Sequence, residues 1–255
     1  MTDIADRYFA GVIARLQEVR ATEGPAIDRA AEACAESIAA DKLVFSFGTG
    51  HGSLPALEMF PRTGTIVGFR PIVESTMISF HRVWGDIGAR QYRFVHAVEG
   101  YGKAILRSHQ LDPADTMVLF SHSGVNAVIL DIALTAKETG MKVIGVTSVQ
   151  HSSASPSRHS SGKKLYEVAD IVIDTHASLA DASIRIDGLQ APVGANSTSI
   201  TIAIAHAIVS VTAEKLVQRG SEPFVMLNPN TAAKEAANVV NDRNYEDLWR
   251  RLKAR

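Results

Sequence analysis

A single cysteine, Cys34, stands in a chain of 255 residues. One thiol cannot close an intramolecular disulfide, and no Cys-based zinc site can be built from one chain. An excess of one charge is missing too, since 26 Lys+Arg face 27 Asp+Glu for a formal net charge of -1. That balance excludes the broad basic field of a non-specific nucleic-acid binder, although not a small basic pocket. The opening MTDIADRYFAGVIARLQEVR carries charges throughout and lacks an apolar h-region, so it does not read as a secretory signal. No apolar run is expected to reach membrane-spanning length; the longest contains His206 and is followed by Glu214 and Lys215. A Walker A sequence, H-E-x-x-H, an EF-hand loop, long linkers and internal repeats are all absent. The expectation is a cytoplasmic protein with no metal, no cofactor, no membrane and no nucleic-acid partner.

What is present suffices for one ample core. Apolar residues make up 46 % of the chain, and a protein of this size buries roughly 70 % of its unfolded-chain surface on folding. One domain over 1–255 is expected, with a helical extension over about 1–40 and a tail over about 221–255. Ile4, Tyr8, Val12, Leu16 and Val19 recur at helical spacing until Gly24-Pro25, and an Ala-rich helix is expected from Pro25 to Ala39. Apolar runs at 42–47, 65–69, 116–120, 141–147 and 170–173 read as buried strands. Helices are expected near 100–108, 125–140, 165–168 and 197–219, and a basic one at the end with Leu248, Trp249 and Leu252 docked. The polar stretch 148–164 is too rich in serine to be core. Continuous apolar strands alternating with helices predict an α/β fold, a three-layer sandwich around a mostly parallel sheet.

Two loops follow strands where open α/β sheets place ligands. The first, FGTGHGS, offers Gly48, Gly50, His51 and Ser53 in a turn that lets backbone approach a ligand. It is a weak match to G-x-G-x-x-G, and Arg70 rather than an acid follows the second strand, so a nicotinamide-dependent reductase is the least favoured reading. The second, SHSGVNA, offers Ser121, Ser123, Gly124 and Asn126 ahead of a helix. Two hydroxyls and the N–H groups of a helix terminus make a compact receptor for phosphate. An ordinary serine-rich helix cap explains the same residues equally well.

FGTGHGS together with FSHSGVNAVILDIALTAKETGMKVIGVTS resembles the sugar isomerase (SIS) phosphosugar-binding domain family. In that resemblance Ser121, Ser123 and Gly124 match the phosphate loop, Ser53 falls near a further phosphate hydroxyl, and Asn126 stands where threonine is usual. The strings SVQHSSASPSRHSSGKKLYEVADIVID and VGANSTS resemble an uncharacterised bacterial group of single-domain SIS proteins. The resemblance implies a flavodoxin-like sheet, a homodimer and a sugar phosphate or amino-sugar phosphate as ligand. It also implies that Asn196 and Ser197 line the sugar, with local helix capping as the competing reading. Isomerases, etherases, lyases and non-catalytic sensors all occur in the superfamily, so the reaction stays open.

An enediol isomerisation needs a base between adjacent carbons and an acid–base group at oxygen. Glu74 is the leading carboxylate, with His51 or His81 at oxygen and Glu99 as a further candidate. A solvated loop acid and a surface or core histidine are the competing readings. Arg158, His159 and Lys163 are expected either to close over an anion or to keep their loop soluble. Tyr8, Phe9, Val12 and Ile13 form a plausible dimer seam.

Overall fold

A computed structural model describes residues 3–78, 88–230 and 234–253. In chain order its elements are α1 (Asp3–Thr22), α2 (Gly24–Ala39), β1 (Val44–Gly48), α3 (Ser53–Glu58), β2 (Phe69–Pro71), α4 (Gly88–Val95), α5 (Tyr101–Leu106) and β3 (Thr116–Phe120). These are followed by α6 (Ala127–Thr139), β4 (Lys142–Thr147), α7 (Val149–Ala154), α8 (Leu165–Val168) and β5 (Ile171–Asp174). The chain continues through β6 (Ala182–Ile184), β7 (Val193–Ala195), α9 (Ser197–Gln218) and α10 (Lys234–Lys253). β1 to β5 form one sheet in the order β2-β1-β3-β4-β5, every pair parallel. This is the flavodoxin-like order, whose switch point lies between β1 and β3.

The strands are apolar without a break because both faces of the sheet are covered. Val44, Val118, Phe120, Ile144 and Ile173 face one core with Ala30 and Cys34 of α2 and Ile200, Ile204 and Ile208 of α9. Phe45, Phe47, Met117, Leu119 and Val143 face the other, with Val128 and Ile132 of α6 and Ile105 of α5. The period of two along each strand therefore sorts side chains between two dry layers. Burial pushes the Cys34 thiol up to about 12, so it stays neutral and inert.

Several expectations are corrected. The strand expected over 65–69 starts only at Phe69; Ile66 instead bridges Val225, and the N–H of Val67 donates to the Phe224 carbonyl. The stretch after β4 is not wholly outside the core: it opens with α7, whose N-cap Ser148 and whose Ser152 are fully buried. Trp249 is 61 % exposed rather than docked. α9 does have the length and composition of a membrane span, but its Ile200, Ile204 and Ile208 sit in the core beside α2, as a helix hydrophobic all round does inside a globular domain. His81 lies outside the described residues.

Candidate functional site

At the carboxyl ends of β1 and β3 the chain encloses a cleft of about 210 Å³. Its walls include Thr49 and His51 from the turn after β1, Ser121, His122, Ser123 and Asn126 from the loop after β3, and Ser197, Thr198 and Thr201 from α9. Tyr92 of α4 closes one side. Among the described residues no Asp, Glu, Lys or Arg belongs to the lining.

The first loop is shaped by its neighbours. Gly50 has φ +57°, and a Cβ there would meet the Tyr92 hydroxyl at 2.8 Å. Glycine thus lets the Tyr92 ring sit over the turn, where its O–H donates to Thr49 Oγ1 at 3.3 Å and its ring lies 4.7 Å from that of His96. Burial pushes the Tyr92 phenol up, keeping it a donor at neutral pH. Gly48 ends β1. Ser53 is buried and donates its hydroxyl to the Gly50 carbonyl at 2.6 Å, so it braces the turn and is not part of the lining. His51 is exposed at the cleft.

The second loop turns on Gly124, with φ +62°. A Cβ at this position would lie 2.9 Å from Thr147 Oγ1 and 3.1 Å from Ser152 Oγ, and a left-handed conformation costs an L-residue roughly 1–2 kcal/mol besides. The Gly124 N–H donates to Ser121 Oγ at 3.1 Å. Asn126 stands at the N-cap of α6, and its side chain makes no capping bond to that helix. Between the serines, both ring nitrogens of His122 are buried and have no partner among the described residues. The His122 ring lies 4.5 Å from that of His151. Burial holds the His122 pKa below the ordinary imidazole value.

α9 reaches the cleft with a different ending. Asp181, itself at φ +61°, accepts at Oδ1 from the N–H of Asn196 at 3.2 Å and of Ser197 at 2.9 Å. Asn196 is buried behind the lining, and its Oδ1 has no partner among the described residues.

The carboxylates expected to act at the cleft are engaged elsewhere. Glu74 caps a short 3-10 turn, accepting from Thr76 Oγ1 at 2.9 Å and from the Thr76 N–H at 3.3 Å, while Thr76 also meets the Tyr101 hydroxyl. Glu99 accepts from the Ser160 N–H at 2.9 Å and from its hydroxyl, bonds that hold its pKa down. His159 places Nε2 3.4 Å from Oδ1 of the buried Asp131. Arg158 donates to Asn126 Oδ1 at 3.2 Å, and Lys163 is exposed. None of Glu74, Glu99, Arg158, His159 and Lys163 lines the cleft.

The sequence does not point to Tyr92, Thr201 or Asp181, and it shows Thr198 only as part of the hydroxyl-rich string VGANSTS. Tyr92 lies in no motif. Ser197 and Thr201, four apart at a helix start, share a face, and that spacing marks Thr201 beside Ser197.

The comparisons agree with this architecture. A sequence model of the SIS domain matches residues 7–148. A UPF0309 protein of Halalkalibacterium halodurans is 33 % identical over 232 residues, covering 91 % of this chain and 92 % of its own. A UPF0309 protein of Streptomyces avermitilis is 31 % identical over 244 residues, covering 96 % of each. Among solved structures, a phosphoheptose isomerase from Francisella tularensis superposes with a TM-score of 0.53 at 18 % identity, over 84 % of this chain and 100 % of that one. A phosphoheptose isomerase from Neisseria gonorrhoeae gives 0.54 at 18 % identity, over 82 % and 97 %. Those two likenesses speak for the fold, while the domain match and the relatives of nearly full length speak for descent: the chain belongs to the SIS-domain family, among the UPF0309 proteins.

Proposed function

We propose that the protein binds a sugar phosphate in this cleft and isomerises its open-chain form by acid–base proton transfer. The observation that carries the reading is the N-terminus of α6, which has no side-chain cap, spends one first-turn N–H, that of Val128, on the His96 carbonyl at 3.3 Å, and is bordered by Ser121 and Ser123 at the switch point of the sheet. The N–H groups of Val125, Asn126 and Ala127, backed by the helix dipole, are left to attract an anion without a cation among the described lining residues. The phosphate lies there, on Ser121, Ser123 and the N–H groups after Gly124, while Ser53 holds the neighbouring turn. The sugar, plain or amino, extends toward Ser197, Thr198 and Thr201.

Proton transfer falls to His51, whose imidazole stands at the cleft. The Tyr92 O–H, which donates to Thr49 Oγ1 in the free protein, turns to a sugar oxygen when the ligand is bound. Glu74 is committed to its own turn and takes no part. A non-catalytic sensor is the second reading, favoured by the lining having no carboxylate among the described residues. We also propose a cytoplasmic homodimer, in which a second copy covers Phe9 and Ile13 of α1, 54 % and 53 % exposed. Tyr8 is used within the chain instead, donating to the Ala195 carbonyl at 3.0 Å. A sedimentation mass near the monomer's 27.4 kDa at micromolar protein would exclude the dimer.

The test is a mass-spectrometric screen against a mixed sugar-phosphate pool, followed by solvent-deuterium exchange at the carbon beside the carbonyl. Exchange by the wild type, lost in His51→Gln with binding kept, is the expected result. Binding without exchange or product assigns a sensor. No phosphate-dependent binding overturns the reading.

A further inference from the structure

We propose that Arg158 is a positioning residue for the anion site, acting through the side-chain amide of Asn126; this rests on the cleft being a phosphate site. Arg158 Nη1 donates to Asn126 Oδ1 at 3.2 Å. A guanidinium has five donors and no acceptor, so the amide atom turned toward it must be the oxygen. The NH2 end is then directed away from Arg158, and Asn126 is a wall of the cleft. Among the described residues no acceptor takes the Asn126 Nδ2. An amide left to itself turns either end to its surroundings, and its oxygen would repel an anion. Arg158 fixes which end is offered and so converts an ambivalent side chain into a donor.

The loop bearing Arg158 is built onto the phosphate loop itself. The Arg158 N–H donates to the Val125 carbonyl at 2.9 Å, and the Leu165 N–H to the Gly124 carbonyl at 2.8 Å. Within the loop, Ser157 Oγ donates to the Lys163 carbonyl at 2.7 Å and the Gly162 N–H to the His159 carbonyl at 2.9 Å. On its outer side Ser160 is bonded to Glu99. The His159 ring accepts at Nδ1 from the Ser161 N–H at 3.0 Å, which leaves Nε2 as the protonated nitrogen facing Asp131. Glu99, His159 and Asp131 thus hold the loop whose Arg158 sets the amide, and the distinctive run from Arg158 to Lys163 is accounted for without direct contact to an anion.

The experiment titrates inorganic phosphate into wild type, Ser123→Ala, Arg158→Ala, Asn126→Ser, and the Arg158→Ala/Asn126→Ser pair, read by calorimetry. A serine hydroxyl both donates and accepts and rotates freely, so it needs no positioning. Arg158→Ala should weaken phosphate about tenfold in the wild-type background, the worth of one hydrogen bond to a charged group. In the Asn126→Ser background the same change should cost less than about twofold. Phosphate should also shift the Asn126 side-chain amide signals in a 1H–15N spectrum of the wild type, and not of Arg158→Ala. Equal losses in both backgrounds make Arg158 a direct cationic contact and overturn its positioning role, as does unchanged affinity in Arg158→Ala. Ser123→Ala separates the two layers. If it weakens phosphate while Arg158→Ala does not, only the role of Arg158 falls. If wild type fails to bind, or Ser123→Ala loses nothing, the phosphate site falls with it.

Discussion

Two helices begin at the cleft, and they begin differently. The first turn of α6 has no side-chain cap and is bordered by hydroxyls. The first turn of α9 is already occupied by the Asp181 carboxylate, which takes the N–H groups of Asn196 and Ser197. One end gives a single N–H, that of Val128, to a neutral carbonyl and keeps its charge unanswered, and the other meets the protein's own acid. A ligand with one charged and one uncharged end is given a direction. On the proposed reading the phosphate belongs at α6 and the hydroxyls of the sugar at α9.

The hardest blow to this contrast should come from Gly124→Ala. A methyl group there meets Thr147, Ser152 and Leu165 while the backbone sits at φ +62°. We expect phosphate affinity to fall by more than about a hundredfold and stability by at least about 1–2 kcal/mol, the cost of a left-handed alanine alone. Denaturant melts and calorimetry read both. Next in size is Ser123→Ala, expected to weaken a sugar phosphate by about ten- to one-hundredfold. The unphosphorylated sugar should lose much less, and equal losses for the two ligands would count against phosphate at α6.

Asp181→Asn sharpens the comparison from the other side. Asparagine still caps a helix but carries no charge, so phosphate should bind slightly tighter, by up to about fivefold on the scale of one charge–dipole interaction. A gain of about tenfold or more in this variant would place the anion at α9, beside the charge removed. The smallest effect concerns acid. His122 has a folded-state pKa below its ordinary 6.5 because of burial, so the unfolded chain takes up the proton first as pH falls. The stability associated with neutral His122 is complete above about pH 6.5 and is lost as pH falls toward the depressed value. His122→Gln should flatten that part of the stability profile, as thermal melts between pH 7.5 and 5 can show.

Reading the sequence located the two loops because each is local. The strand Thr116–Phe120 and the serines directly after it need no distant partner to be recognised. The contrast between the helix ends could not be seen that way. Asp181 stands 15 and 16 residues before the N–H groups it caps, across the β6–β7 hairpin. Glu74 shows the same limit from the opposite direction. Its place after a strand puts it at the correct end of the sheet, but that strand is the edge strand β2, one position away from the β1–β3 junction where the cleft opens. Position after a strand fixes the end of a sheet, not the gap between strands. Tyr92 belongs to a helix whose only link to the cleft is tertiary, so no local pattern announces it.

Arg251 ties the molecule together over a much longer distance. Its largely buried guanidinium donates to the carbonyls of Ile38 at 3.0 Å and Lys42 at 3.3 Å, and is held by Asp247 of its own helix at 2.7 Å. Arg251 follows Ile38 by 213 positions. A ribosome delivers the chain from the other end, so the corner where α2 turns into the first strand stays wet while β1, β3 and β4 are already free to pair. The native state is completed only when translation has passed Arg251, and a nascent chain stalled before it carries a fully specified cleft on a body that is still open at the base.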